Sequence, residues 1–185
     1  MTPMEILREF YDPGSRLFHI LVTHSRMVSE KAIQAAAHVS HLKPDLEFIR
    51  EAAMLHDIGI FQTQAPGIGC HGPHPYILHG YLGGEILNKK GLPRHALVCE
   101  RHPGAGISKE IIVAHGLDLP ARDMRPQSIE EKIICYADKF YSKTPESLHV
   151  EKRVPDIIRM LSSYGEEQAQ TFQSWLILFG EKTDG

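Results

Sequence analysis

The sequence predicts an all-α protein, and three observations carry that reading. Apolar residues recur at steps of three and four over residues 16–38, the period of one buried helical face. Helix-starting and helix-stopping residues punctuate the rest of the chain at short intervals. No segment shows the apolar–polar alternation of a half-buried strand.

Each element has its own signals. Over 16–38, Leu17, Leu21, His24, Val28, Ala32, Ala35 and Val39 share a face, which sets His24 in the middle of an apolar stripe, and Pro13-Gly14 turns the chain before it. Lys43-Pro44-Asp45 opens a second helix with Pro44 in its first turn. The apolar residues Phe48, Ile49, Ala52, Ala53 and Leu55 lead directly into His56-Asp57, and Gly59 is expected as a left-handed cap. Residues 62–75 are rich in Gly, Pro, Gln and His and read as a long loop, and loops beyond about a dozen residues more often serve function than connection. A helix over 79–90 stops at Gly91, another runs from Pro93 to Arg101, and a short one covers 109–114. Ser128 followed by Glu131 is a capping-box signature for the helix that carries Ile133, Ile134, Ala137 and Asp138. Residues 154–179 read as one or two packing helices, and their apolar end, Trp175 to Phe179, is expected to cover the core, with a dimer contact as the alternative.

With 185 residues, the chain is expected to form one domain over 1–185, with a core at about 16–141 and C-terminal packing helices at about 145–180. The net charge of −3 supplies no basic field for a nucleic-acid polymer. Cys70, Cys99 and Cys135 form no C-x-x-C pair and no disulfide framework, which suits a reducing compartment. The first ten residues lack the apolar core of a secretory signal, and no run is long enough to span a bilayer. A cytoplasmic protein without membrane partners is the expectation.

Twelve histidines prompt a search for ligand spacing. Leu55-His56-Asp57-Ile58-Gly59 is the decisive segment. Neighbouring positions on a helix point about 100° apart, so His56 and Asp57 converge on one ion only from a helix end. Taken singly, His24 reads as a core histidine and Asp138 as a surface acid paired with Lys139. Taken together, they offer two imidazoles and two carboxylates from three helices, and burying that set makes energetic sense around a cation.

The ordered set His24, His56-Asp57 and Asp138 resembles the HD superfamily, and His56-Asp57-Ile58-Gly59 is similar to its His-Asp-Ile-Gly variant. The resemblance covers about residues 16–141 and implies a compact helical bundle. His79 and His102 resemble the extra ligands of two-metal HD subgroups, which implies a six-ligand site in which Asp57 bridges. Lys139 and Arg101, beside Asp138 and His102, are candidates for holding an anionic substrate, whereas His71 and His74 read as solvated loop residues. A thiolate-free His/Asp set suits one or two divalent ions of iron, manganese, cobalt, nickel or zinc.

The family resemblance implies a phosphohydrolase acting by metal-activated water on a nucleotide or another small phosphorylated metabolite, with His56 and Asp57 as catalytic residues. The rival enzyme reading is a di-iron oxygenase that cleaves a C–C or C–P bond with dioxygen. A third reading is a non-catalytic metal-dependent binding module. Ile60 stands where some HD subgroups place an acid or lysine, so their detailed mechanisms do not carry over. The glycine-tyrosine-proline extension of the cyclic-dinucleotide phosphodiesterases is not evident and Arg101-His102-Pro103 lacks their paired histidines, so cyclic-di-GMP is a poor first guess.

Overall fold

Thr2, Ser15, Asp45, Ser108 and Ser128 each accept a hydrogen bond from the backbone N–H three residues on, and each starts a helix. In the computed structural model, which describes residues 1–180, they open α1 (Pro3–Arg8), α2 (Arg16–His38), α3 (Leu46–Leu55), α6 (Lys109–Ala114) and α7 (Ile129–Asp138). The other helices are α4 (His79–Lys89), α5 (Pro93–Arg101), α8 (Val154–Tyr164) and α9 (Glu166–Phe179). The protein is all-α, as its periodicity predicts. None of the described helices is long and apolar enough to cross a membrane.

Several local expectations are corrected. Pro44 stays outside α3, because the Asp45 side chain takes the N-cap. Ser128 caps α7, but the Glu131 carboxylate closes no reciprocal box. It accepts from the Gln127 N–H at 2.9 Å and from Arg101 at 2.9 Å. Residues 154–179 divide into two helices at Gly165, whose φ of 146° lies in a region other residues avoid. The 62–75 loop holds a two-stranded antiparallel ribbon, Gln64–Ala65 against Cys70–His71, with strands too short for any alternation to show in sequence.

Gly59 is needed for a different reason from the one its position suggests. Its φ is −84°, an ordinary right-handed value. A Cβ there would lie 2.3 Å from the His79 carbonyl oxygen and 2.4 Å from the Gly83 nitrogen. The chain therefore uses Gly59 to press the segment after His56-Asp57 against α4. Gly80 permits similar closeness between α4 and α5, since a Cβ there would meet the Cys99 carbonyl at 2.4 Å.

Two large apolar clusters make up most of the interior, and a small third one gathers Ile107, Ile112 and Met124. One of the large clusters gathers Val28, Ala53, Ile133, Ile134, Phe140, Phe172 and Phe179 between α2, α3, α7 and the C-terminal pair. The other gathers Leu7, Leu21, Leu55, Ile58, Leu87 and Cys99 around α1, α4 and α5. Leu21 and Val28 lie in different clusters on α2, as Ala53 and Leu55 do on α3. The polar residues His24 and His56 sit between them, at the seam.

Candidate metal centre

All six residues singled out from sequence converge at this seam. His24 projects from the middle of α2, His56 occupies the C-cap of α3, Asp57 follows it, and Asp138 is the last residue of α7. His79 begins α4, and His102 caps α5. All six are buried, and His24, His56 and Asp57 are wholly inaccessible.

The donor atoms form two groups that share Asp57. Its Oδ2 lies 3.2 Å from His24 Nε2 and 3.0 Å from His56 Nε2, while Asp138 Oδ1 lies 3.0 and 3.4 Å from the same two nitrogens. Its Oδ1 lies 3.3 Å from His79 Nε2 and 3.4 Å from His102 Nε2. In each group, one ligand atom per residue lies within 4.8 Å of every other.

Hydrogen bonding fixes which nitrogens face inward. His56 Nδ1 donates to the Ala53 carbonyl, His79 Nδ1 to the Tyr76 carbonyl and His102 Nδ1 to the Cys99 carbonyl, each at 2.7 Å. A carbonyl can only accept, so each Nδ1 carries a proton and Nε2 is the ring nitrogen that faces the centre. Burial pushes the pKa of His79 down to about 3 and lowers that of His102, which keeps both neutral. Their Nε2 atoms nevertheless stand 3.0 Å apart, both facing the Asp57 carboxylate. The wholly buried Asp57 carboxylate meets the Lys143 ammonium at Oδ2, 2.6 Å away, while Oδ1 accepts no hydrogen bond of sound geometry.

Acceptors gathered this closely around a buried carboxylate repel one another unless a cation lies among them. The spacing also fits. Ligands about 2.0–2.1 Å from an ion lie about 3.4 Å apart in tetrahedral and about 3.0 Å apart in octahedral arrangement. The residues present therefore suit divalent metal ions, and the lack of a thiolate within either group points to a metal comfortable with nitrogen and oxygen.

The first group makes the same demand in another way. Burial opposes protonation of His56, yet the Asp57 and Asp138 carboxylates raise its pKa to about 9. Burial likewise opposes ionisation of Asp57, but the His56 and Lys143 charges hold its pKa well below the usual carboxylate range. This group attracts positive charge strongly enough to hold a proton where an ion would sit.

Three residues missed in the sequence belong to the surroundings. Lys143 Nζ lies 2.6 Å from Asp57 Oδ2. The Tyr76 ring stacks on His79 with centroids 4.6 Å apart. Lys152 lines a cavity beside Lys139 and Lys143. Of the two residues expected to contact substrate, Lys139 lines both cavities and is bonded to Asp138 Oδ2 at 2.7 Å and to the His102 carbonyl at 3.0 Å. Arg101 is drawn into its bond with Glu131. His71, in the second strand of the ribbon, is exposed, and His74 is partly so.

Two cavities, of about 460 and 610 Å³, open beside the centre. Asp138 lines both, and His79 and His102 line the larger.

A helical bundle with a buried His/Asp centre at the seam of its core is the class this fold and site define. The chain belongs to the HD-domain family, whose profile matches residues 21–142, and HD domains bind divalent metals. An uncharacterized protein of Methanocaldococcus jannaschii is 40% identical over 121 residues, a match covering 64% of each chain. The tRNA (cytidine(56)-2'-O)-methyltransferases of Thermoplasma volcanium and Picrophilus torridus are 33% and 35% identical over 123 and 124 residues, or 66% of this chain. The matched region spans 32% of each methyltransferase. Among solved structures, the HD domain of the L. monocytogenes phosphodiesterase PgpH in complex with cyclic-di-AMP shares the fold, with a TM-score of 0.50, 17% identity, and 87% of this chain and 89% of that one covered.

Proposed function

We propose that the protein is a metal-dependent phosphohydrolase that acts on a small phosphorylated substrate. The observation that carries this reading is the double donor set sharing Asp57, with lysines beside it at the mouth of the cavities. His24, His56, Asp57 and Asp138 would hold one divalent ion, and Asp57, His79 and His102 a second. When bound, such ions lower the pKa of water and offset charge developing on phosphoryl oxygens.

The chain's own groups then divide the work. His56 and Asp57 are wholly enclosed and line neither cavity, so they act by holding the cation and not by touching substrate. Asp138 reaches both cavities and is the carboxylate placed to take a proton from attacking water. The Lys139 and Lys143 ammonium groups face the same cavities and suit the oxygens of a phosphoryl group. Tyr76 holds His79 from both ends of its ring, by stacking and by its carbonyl.

The lysine-lined mouth favours phosphate chemistry over the oxygenase reading, since the six ligands alone would serve either. Methyl transfer is not proposed, because the matched region is a minor part of the methyltransferases. The test is elemental analysis of anaerobically purified protein. It is followed by assay, with each bound metal, of a panel that includes AMP, ADP and cyclic-di-AMP, the ligand of the Listeria domain. Phosphate or nucleotide release that needs the metal supports the proposal. Two irons with dioxygen consumption and no phosphorus chemistry would replace it with the oxygenase.

A further inference from the structure

The two cavities meet at Asp138, Lys139 and Lys143, but their far walls differ in chemistry. The larger is walled by Ile77, Ile107, Ile111 and Leu117 and opens onto His79 and His102. The smaller continues past Lys139 and Lys143 to Lys152. Lys139 is matched by Asp138, and Lys143 by Asp57. Lys152 makes no ion pair or side-chain hydrogen bond among the described residues, although its backbone N–H is fixed to the Phe140 carbonyl at 2.8 Å. Partial burial pushes its pKa below the ordinary lysine value; the more distant Asp138 carboxylate opposes that fall, and the neighbouring Lys139 and Lys143 charges add to it.

We propose that the site takes a phosphoanhydride or phosphodiester whose scissile phosphorus carries different groups on its two sides. A bulky, weakly polar group lies against Ile77, Ile107, Ile111 and Leu117, and a second anionic group lies against Lys152. This rests on the phosphohydrolase reading and narrows it. A simple monoester fills one lobe and leaves Lys152 unmatched. A sugar phosphate sets hydroxyls against an apolar wall at a desolvation cost. The larger lobe has the size of a pocket for a ring-bearing ligand. In the reaction, the oxygen of water bonds to phosphorus, the bridging P–O bond breaks, and the bridging oxygen departs, with the proton from water passing to product or solvent. For ADP the products are AMP and inorganic phosphate.

The experiment compares ADP with AMP on the metal-loaded full chain at fixed free metal. The kcat/KM for ADP is expected to exceed that for AMP by about tenfold or more, the scale of one charge-assisted contact. Lys152→Met should cut this preference by about tenfold through KM, and Lys152→Arg should restore most of it. Equal or better use of AMP overturns the proposal, as does a preference unchanged in Lys152→Met. If neither nucleotide nor cyclic-di-AMP is turned over with any divalent metal, the phosphohydrolase reading fails on its own. Equilibrium dialysis of labelled ADP and AMP on the same protein then decides the shape of the site. Tighter ADP binding that Lys152→Met removes supports two lobes, and equal binding of ADP and AMP rejects them.

Discussion

The two halves of the centre are anchored in different parts of the fold and carry different charge. His24, His56 and Asp138 come from α2, α3 and α7, and two carboxylates there face two imidazoles. His79 and His102 come from the closely packed pair α4 and α5, and their negative charge is the shared Asp57 alone. The first half draws positive charge strongly enough to raise His56 to about 9 against its burial, whereas burial carries His79 down to about 3. Charge density thus separates two sites that look alike in their count of histidines. Under the proposed two-ion reading, the first half is expected to be the tighter ion site and the second the weaker one.

The substitution with the largest expected effect is Asp57→Asn, which removes the charge common to both halves. Metal content measured by elemental analysis should fall toward zero. Activity should drop by more than the roughly 10–100-fold typical of losing an outer partner. Two ions retained in Asp57→Asn would refute the shared-ligand geometry. His79→Ala and His102→Ala come next, and each should lose one ion and keep the other. In the parent protein, a chelator titration should remove metal in two stages, the weaker stage matching the ion missing from these variants. Simultaneous loss of both ions would show that the halves are not independent sites.

Gly59→Ala tests how the second half is held. Its new Cβ must displace the His79 carbonyl or the α4 backbone, which are not flexible side-chain ends. Overpacking of this kind costs about 1–3 kcal/mol. A thermal melt should show a lowered Tm, and elemental analysis should show the second ion reduced more than the first. Equal loss of both ions would mean that the strain spreads through the core instead of acting on α4.

This contrast also explains what the sequence disclosed. His24 and Asp138 were legible because each lies on the apolar face of a helix with a strong period, where a polar residue stands out. His56-Asp57 and Gly59 were legible as a motif, but the purpose of Gly59 was not. Close approach to α4 is a tertiary fact, and a left-handed cap is the local guess. Lys143 and Lys152 lie on irregular backbone beyond α7 with no period to give them a direction, and one lysine among many carries no signal. The lysine lobe appears only once that segment is folded beside Asp138. Arg101 shows the converse. Adjacency to His102 in the chain made it a candidate, but the end of a helix sends neighbouring side chains in different directions.

Arg101 is also the subject of the smallest expected effect on function. Its guanidinium donates to Glu131 Oε2 at 2.9 Å, both side chains are largely buried, and it lines neither cavity. Arg101→Met should therefore act on folding and not on substrate. Glu131 would keep the Gln127 N–H but lose its cation, a loss of about 1–3 kcal/mol for a buried charged acceptor. For a chain of this size, that corresponds to a Tm lower by about 2–4 °C for each kcal/mol. Metal content and KM should stay at the parent values. A clear rise in KM with an unchanged Tm would return Arg101 to the substrate, and would mean that the cleft extends past His102 along α5.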